Sequence, residues 1–304
     1  ADHLFFEAAW KAAASAARSG GWSLIPLRIM SAMHFCAAAA GAAGLAHGLW
    51  LWKSQDVLEA PRAADALLQF CKSKSIDEVY VSFPAGGVKR LAPVVKLLHR
   101  SSIRVEALLS SGDAGEPGPK RDKLLDRVEG IVQFNRQHPD EPFDGIHLDL
   151  EPQQQPENKG PGNLRFLPVL AGTYRVLRAL AESGRMSVNA DIPNKYLKGT
   201  LGERRMLLSA LPRLTLMLYE LSSPDDGRSE SQKAGKLRRE AERYLEMAYR
   251  GLDTPDLARI SVALRTPDYG GLLPAMLKAL DAAISGNPHY GGWAWHSYND
   301  MLSR

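Results

Sequence analysis

Cysteine is scarce in this chain: 304 residues contain only Cys36 and Cys71, and neither belongs to a C-x-x-C or a Cys/His cluster. That excludes a disulfide framework and a structural zinc site as the source of stability. Cys71 lies in a helical pattern and reads as a small core residue, able to pair with Cys36 only if both survive in the mature chain. Charge of one sign is also scarce, since 38 Lys and Arg against 34 Asp and Glu leave a net +4. The basic residues form no dense tract, so nucleic-acid binding is not expected. A glycine-rich phosphate turn of the G-x-G-x-x-G or Walker type is missing after the first candidate strand, which weakens a nucleotide-binding doubly wound sheet. With 45% hydrophobic and 24% charged residues, disorder is not the theme, and the length suits one large domain plus an extension.

The first 46 residues form that extension. Asp2 to Arg18 reads as an Ala-rich amphipathic helix broken at Gly20-Gly21, and Ile29 to Ala46 is almost free of charge. The apolar run follows Arg28 and ends in small residues, Gly44-Leu45-Ala46, which suits a secretory signal or a membrane anchor. A helix packed against the domain is the equal alternative. Residues 47–304 then form the domain, expected to be a monomer that is secreted, periplasmic or membrane-anchored.

From Gly48 onward the chain alternates between strand-like and helix-like segments. The strand-like ones are Gly48–Lys53, Glu78–Phe83, Ile103–Leu109, Gly145–Glu151, Met186–Ile192, Leu214–Glu220, Ile260–Leu264 and Tyr290–His296. Helical patterns separate them, including Ala63–Lys74, Leu91–Arg100, Arg121–Gln137, Leu164–Glu182, Lys233–Arg250 and Leu272–Ile284. Eight strand-plus-helix units over about 250 residues predict a (β/α)8 TIM barrel with an N-terminal helical extension. The weak seam is the last unit, whose helix must fit into Asn299–Arg304. An open doubly wound sheet is the main competitor.

Chemistry concentrates on the fourth strand. Alternation puts Gly145, His147, Asp149 and Glu151 on one face and Ile146, Leu148 and Leu150 on the other. A strand buried on both faces normally reads as continuous Val, Ile and Leu, and inward charges are costly unless they have partners or a role. Functional groups of such barrels gather at the carboxyl ends of strands, where this sequence places Asn189, Asp191, Tyr219, Glu220, Arg265, Trp295 and His296. Arg265 suits a charged substrate or neutralises inward carboxylates, Glu106 included. Trp50 and Trp52 read as packing. Metal ligation by His147, Asp149 and Glu151 is geometrically conceivable, yet no second ligand cluster accompanies them, so neither metal nor cofactor is expected.

These residues resemble the chitinase-like glycoside hydrolases of family 18. The family motif D-G-x-D-x-D-x-E is matched by Asp144-Gly145-Ile146-His147-Leu148-Asp149-Leu150-Glu151, except that His147 replaces the middle aspartate. Met217-Leu218-Tyr219-Glu220 resembles M-x-Y-D, and Gly291-Gly292-Trp293-Ala294-Trp295 resembles the family's eighth strand. The resemblance implies Glu151 as general acid, Asp149 orienting the substrate's 2-acetamido group, Tyr219 bonding its carbonyl and Trp295 as the floor under the sugar. His147, Asn189, Asp191, Glu220 and Arg265 would complete the substrate site. The substrate would be an N-acetylhexosamine-containing polysaccharide or glycan that supplies its own nucleophile. Glu220, longer than the family's aspartate, raises the alternative of an enzyme nucleophile. Spacing agrees with an acidic pair: residues two apart on a strand lie about 6–7 Å apart, close enough for one charge to raise the other's pKa. The His147 departure keeps two rivals open, a sugar-binding barrel that has lost catalysis and a metal-assisted hydrolase.

Overall fold

In the computed structural model the alternation resolves into a closed barrel of eight parallel strands in sequence order. The structure describes residues 44–302 apart from 61, 85–86, 113–114, 161 and 255; the expectations for the extension, Cys36 included, lie outside them. The elements run β1 (Ala46–Leu51), α1 (Ser54–Glu59), α2 (Ala63–Ser73), β2 (Glu78–Ser82), α3 (Ala92–His99), β3 (Arg104–Ser111), α4 (Pro119–Gln137), β4 (Gly145–Leu150) and α5 (Leu167–Glu182). They continue with β5 (Ser187–Pro193), α6 (Leu201–Leu208), β6 (Arg213–Met217), α7 (Glu230–Tyr249), β7 (Arg259–Arg265), α8 (Thr266–Tyr269), α9 (Leu273–Ile284), β8 (Tyr290–His296) and α10 (Tyr298–Leu302). Every expected strand is present, and β8 pairs with β1 to close the ring, with His47 opposite Trp293. The short α10 fills the seam. Helices α1 and α6, of six and eight residues, are too short to announce themselves by periodicity. β6 ends three residues earlier than expected, because Glu220 turns off the ladder at φ 62°.

Two faces of the same strands build two different cores. Outward residues such as Leu49, Val79, Ile146, Leu148, Val188, Leu214 and Val262 are fully buried against the helical jacket. Cys71, on α2, belongs to this layer, and burial pushes its thiol up to about 12, so it is inert packing. Inward residues form a smaller aromatic cluster of Trp50, Tyr80, Leu108, Ala263 and Ala294, with Trp52 and Tyr219 packed on it from the mouth. Below that cluster the barrel is ionic. Arg213 reaches Glu78 at 2.6 Å and Glu106 at 3.6 Å, and Arg104 lies 3.7 Å from Glu106.

Two glycines make this filling possible. A Cβ on Gly145 would sit 2.8 Å from Glu106 Oε1 and 2.5 Å from Ser187 Oγ, and one on Gly48 would strike the Tyr80 ring. The glycine of the fourth-strand motif is therefore the space that the floor carboxylate occupies. Asp144 before it is structural: it faces outward, accepts from Val105 N–H at 2.7 Å and lies 2.9 Å from His99 Nε2, tying α3 to the start of β3. Burial alone would raise its carboxyl, but the His99 bond and the Val105 N–H hold it below the usual range.

Candidate active site

β4 carries its polar face into the barrel as a ladder, and each rung has a different environment. His147 is the lower rung, wholly buried and stacked on Tyr80 at 3.7 Å between ring centres. Its Nδ1 lies 3.3 Å from Glu106 Oε2 and its Nε2 2.8 Å from Asp191 Oδ1. Burial alone would lower the imidazole, but the charge and hydrogen bond of Asp191, joined by those of Glu106, push it up to about 9. His147 is thus an imidazolium clamped between two carboxylates. Burial would also raise Glu106, yet the His147 hydrogen bond and the charge of Arg213 hold it low. Glu78, with burial dominant over the Arg213 charge, rises to about 7.

Asp149 is the next rung, half-buried at the mouth. Burial, then the charges of Asp191 and Glu151, push its carboxyl up to about 8, against smaller opposing effects from His147 and Ser110. It is a neutral acid at neutral pH, able to donate as well as accept a hydrogen bond. Glu151 follows just past the strand, half-buried, and accepts from Gln153 Nε2 at 3.0 Å and Gln154 Nε2 at 2.6 Å. Gln153 is itself held by the buried Tyr196 hydroxyl. Among the described residues, no Lys or Arg forms an ion pair with Asp149 or Glu151.

Around these carboxylates the mouth is aromatic. Tyr219, half-buried, lies under the Arg265 guanidinium, 5.0 Å from its ring centre, and 5.6 Å from the ring of His296. Its phenol is pushed well above the usual range by burial and by the charges of Asp191 and Asp149, so it remains an O–H donor. Trp52 is half-buried, and its indole N–H donates to His296 Nε2 at 2.9 Å, which fixes the plane of the ring.

Several sequence expectations need correction. Trp295 faces outward: it is 3% exposed, belongs to the jacket core, donates to Thr266 Oγ1 at 2.9 Å and meets Phe70 edge-on. Trp293 shares that face, stacked on His47. The two tryptophans do alternate together, but on the helix side, and the tryptophan that packs at the mouth is Trp52. His147, Asn189 and Asp191 are at most 3% exposed and cannot line an open subsite. Asn189 donates to Glu106 at 2.6 Å, and the three form the layer beneath the site. Arg265 leaves Glu106 to the other arginines and pairs instead with Asp268 at 2.7 Å and Glu220 at 3.6 Å. Glu220, 81% exposed on the rim, has no contact with Glu151. Gln153, Gln154 and Tyr196 were missed, and Trp52, read as packing, reaches the mouth beside His296. Parity could have found Trp52, which shares the face of Trp50, whereas the glutamines sit in a loop without periodicity.

The ladder gives the fold a definite pH response. His147, raised from 6.5 to about 9, contributes stability that is complete below its unfolded value and is lost as pH rises through 9. Asp149 and Glu78, also raised, act in the same direction, while the depressed Glu106 and Asp144 are already ionised and contribute no slope there. Urea midpoints at constant ionic strength should therefore fall steadily between about pH 6.5 and 9.5. A flat or rising midpoint over that window would contradict the imidazolium clamp.

No protein-family model matches the chain, and comparison with curated proteins finds no match. Solved structures do match. A chitinase from Chromobacterium violaceum superposes with a TM-score of 0.51 at 14% identity, covering 84% of this chain and 94% of the other. The PgaB (BpsB) glycoside hydrolase domain from Bordetella bronchiseptica gives 0.53 at 14% identity over 86% and 96%. A chitinase from Bacteroides thetaiotaomicron gives 0.54 at 13% identity over 86% and 93%. At these identities the likeness speaks for architecture alone: this chain shares its fold with these bacterial glycoside hydrolases.

Proposed function

We propose that this protein hydrolyses glycosidic bonds in a polysaccharide or glycan containing N-acetylhexosamine, by a retaining, substrate-assisted mechanism with Glu151 as general acid and base. One observation carries the reading: two carboxyl groups stand at the barrel mouth at the end of one strand, without a cation partner among the described residues, and Asp149 is held neutral up to about pH 8. Glu151 transfers its proton to the glycosidic oxygen as that bond to the anomeric carbon breaks. The acetamido carbonyl oxygen forms the replacing bond, with Asp149 hydrogen-bonding the acetamido group and the Tyr219 hydroxyl donating to its carbonyl. Glu151, now a carboxylate, takes a proton from the water that reopens the intermediate, so configuration is retained. Trp52 offers the flat apolar face on which a sugar ring stacks. The uncharged run after Arg28 supports a secreted, periplasmic or membrane-anchored enzyme.

A substrate pair differing only at C2 tests the mechanism. Aryl glycosides of an N-acetylglucosamine oligomer should turn over at least about a hundredfold faster than the glucose counterparts, since an internal nucleophile replaces an external one. NMR should show the β-anomer of the product first. Equal rates would point to an enzyme nucleophile, and binding of the oligomer with no turnover at all would point to a carbohydrate-binding barrel.

A further inference from the structure

Beside the mouth, between the loop after β4 and the turn after β5, lies a cleft of about 500 Å³ lined by Gly160, Gly162, Leu164, Lys195, Lys198 and the capped start of α6. Lys198 and Gly199 also line a neighbouring hollow of about 280 Å³, with Arg204, Arg243 and Arg250. Nothing lies within 4 Å of a Cβ built on Gly160 or Gly162, so this wall is open. Two of its neighbours link the cleft to Glu151. Lys195 is half-buried and feels the Glu151 charge, and its neighbour Tyr196 holds the Gln153 that bonds Glu151.

The charges of this track are unequal. Arg243 and Arg250 have glutamate partners on α7, and Arg204 is turned onto the Met247 and Ala248 carbonyls. The single acidic wall residue, Glu203, is consumed by the capping box, accepting from Thr200 N–H at 2.7 Å and Thr200 Oγ1 at 2.8 Å. Lys195 and Lys198 form no ion pair or hydrogen bond among the described residues. Lys198 is exposed, but Lys195 is half-buried, and a half-buried ammonium without a partner is unfavourable unless something else satisfies it.

We infer that this cleft is an extended subsite for anionic substituents, so the substrate of the proposed glycosidase is an acidic N-acetylhexosamine glycan whose negative groups lie along Lys195 and Lys198. The inference rests on the glycosidase reading. The shared chemistry is an anionic oxygen cluster on the chain, carboxylate or sulfate, spaced by sugar units from the bond at Glu151.

The test compares three probes on the full chain: a neutral N-acetylglucosamine hexamer, a hyaluronan hexasaccharide, which carries carboxylates, and a chondroitin sulfate hexasaccharide, which adds sulfate. Binding is measured by calorimetry with Glu151→Gln and turnover with the parent. At least one acidic probe should bind tenfold or more tighter than the neutral one at low salt, and the preference should shrink as salt rises. Lys195→Gln combined with Lys198→Gln should cut the acidic-over-neutral ratio about tenfold, and Lys195→Arg with Lys198→Arg should restore it. Preference for carboxylate alone or for sulfate alone identifies the anion. If the neutral hexamer is cleaved and the ratio is near one, or the ratio survives the double substitution, the anionic subsite is overturned while the glycosidase reading stands. If no probe is bound or cleaved, both fall.

Discussion

Glu151→Gln should lower hydrolysis of an N-acetylglucosamine oligomer by roughly three orders of magnitude, in line with the 10²–10⁴ that a positioned general acid contributes. The amide keeps the size of the side chain but cannot deliver a proton to the leaving oxygen. The loss should fall on kcat, with binding of the oligomer retained, because the proton is needed only as the bond breaks. Thermal unfolding should change little, since Glu151 is half-buried, lies outside the strand ladder and forms no ion pair. Near-normal turnover in this variant would place the acid elsewhere.

The largest effect on stability should come from His147→Asp, the substitution that would complete the D-G-x-D-x-D-x-E motif. In this barrel the imidazolium lies 2.8 Å from Asp191 and 3.3 Å from Glu106, with Asp149 above it. An aspartate would remove the cation from a wholly buried site and add a fourth carboxyl group to the cluster. Breaking a buried ion pair in this way costs about 3–5 kcal/mol. The deficit should be largest at pH 7 and shrink towards about pH 5, where protonation of the crowded carboxylates relieves the repulsion. Urea denaturation at the two pH values reads both quantities. A variant as stable as the parent at pH 7 would show that Arg213 and Arg104 alone balance the floor.

That prediction also explains why the departure from the motif reads differently in sequence and in space. On the strand alone, His147 is simply the rung next to Asp149 on the same face. In the barrel its two ring nitrogens reach across to β3 and β5 instead, and its influence on Asp149 is electrostatic. The expected pairing of like charges survives in altered form: the raised carboxyl is Asp149, and burial and Asp191 raise it more than Glu151 does.

What the sequence determined by itself was the alternation of elements and the parity of each strand. Eight apolar runs with helical spacers call for a parallel sheet, barrel or doubly wound, because each strand must bury a face under a helix, and period two puts Gly145, His147, Asp149 and Glu151 on one shared face; closure itself was settled by β8 pairing with β1. Parity does not say which face is inner. Trp293 and Trp295 share a face as expected, but only closure of β8 against β1 turned that face to the jacket and gave the mouth to Trp52 and His296. Depth was likewise a tertiary decision. Asn189 and Asp191 sit one and two rungs along β5 in any extended strand, and it was the tilt and stagger of neighbouring strands that buried both beneath Asp149, where desolvation and proximity set the charges on which the proposed chemistry depends.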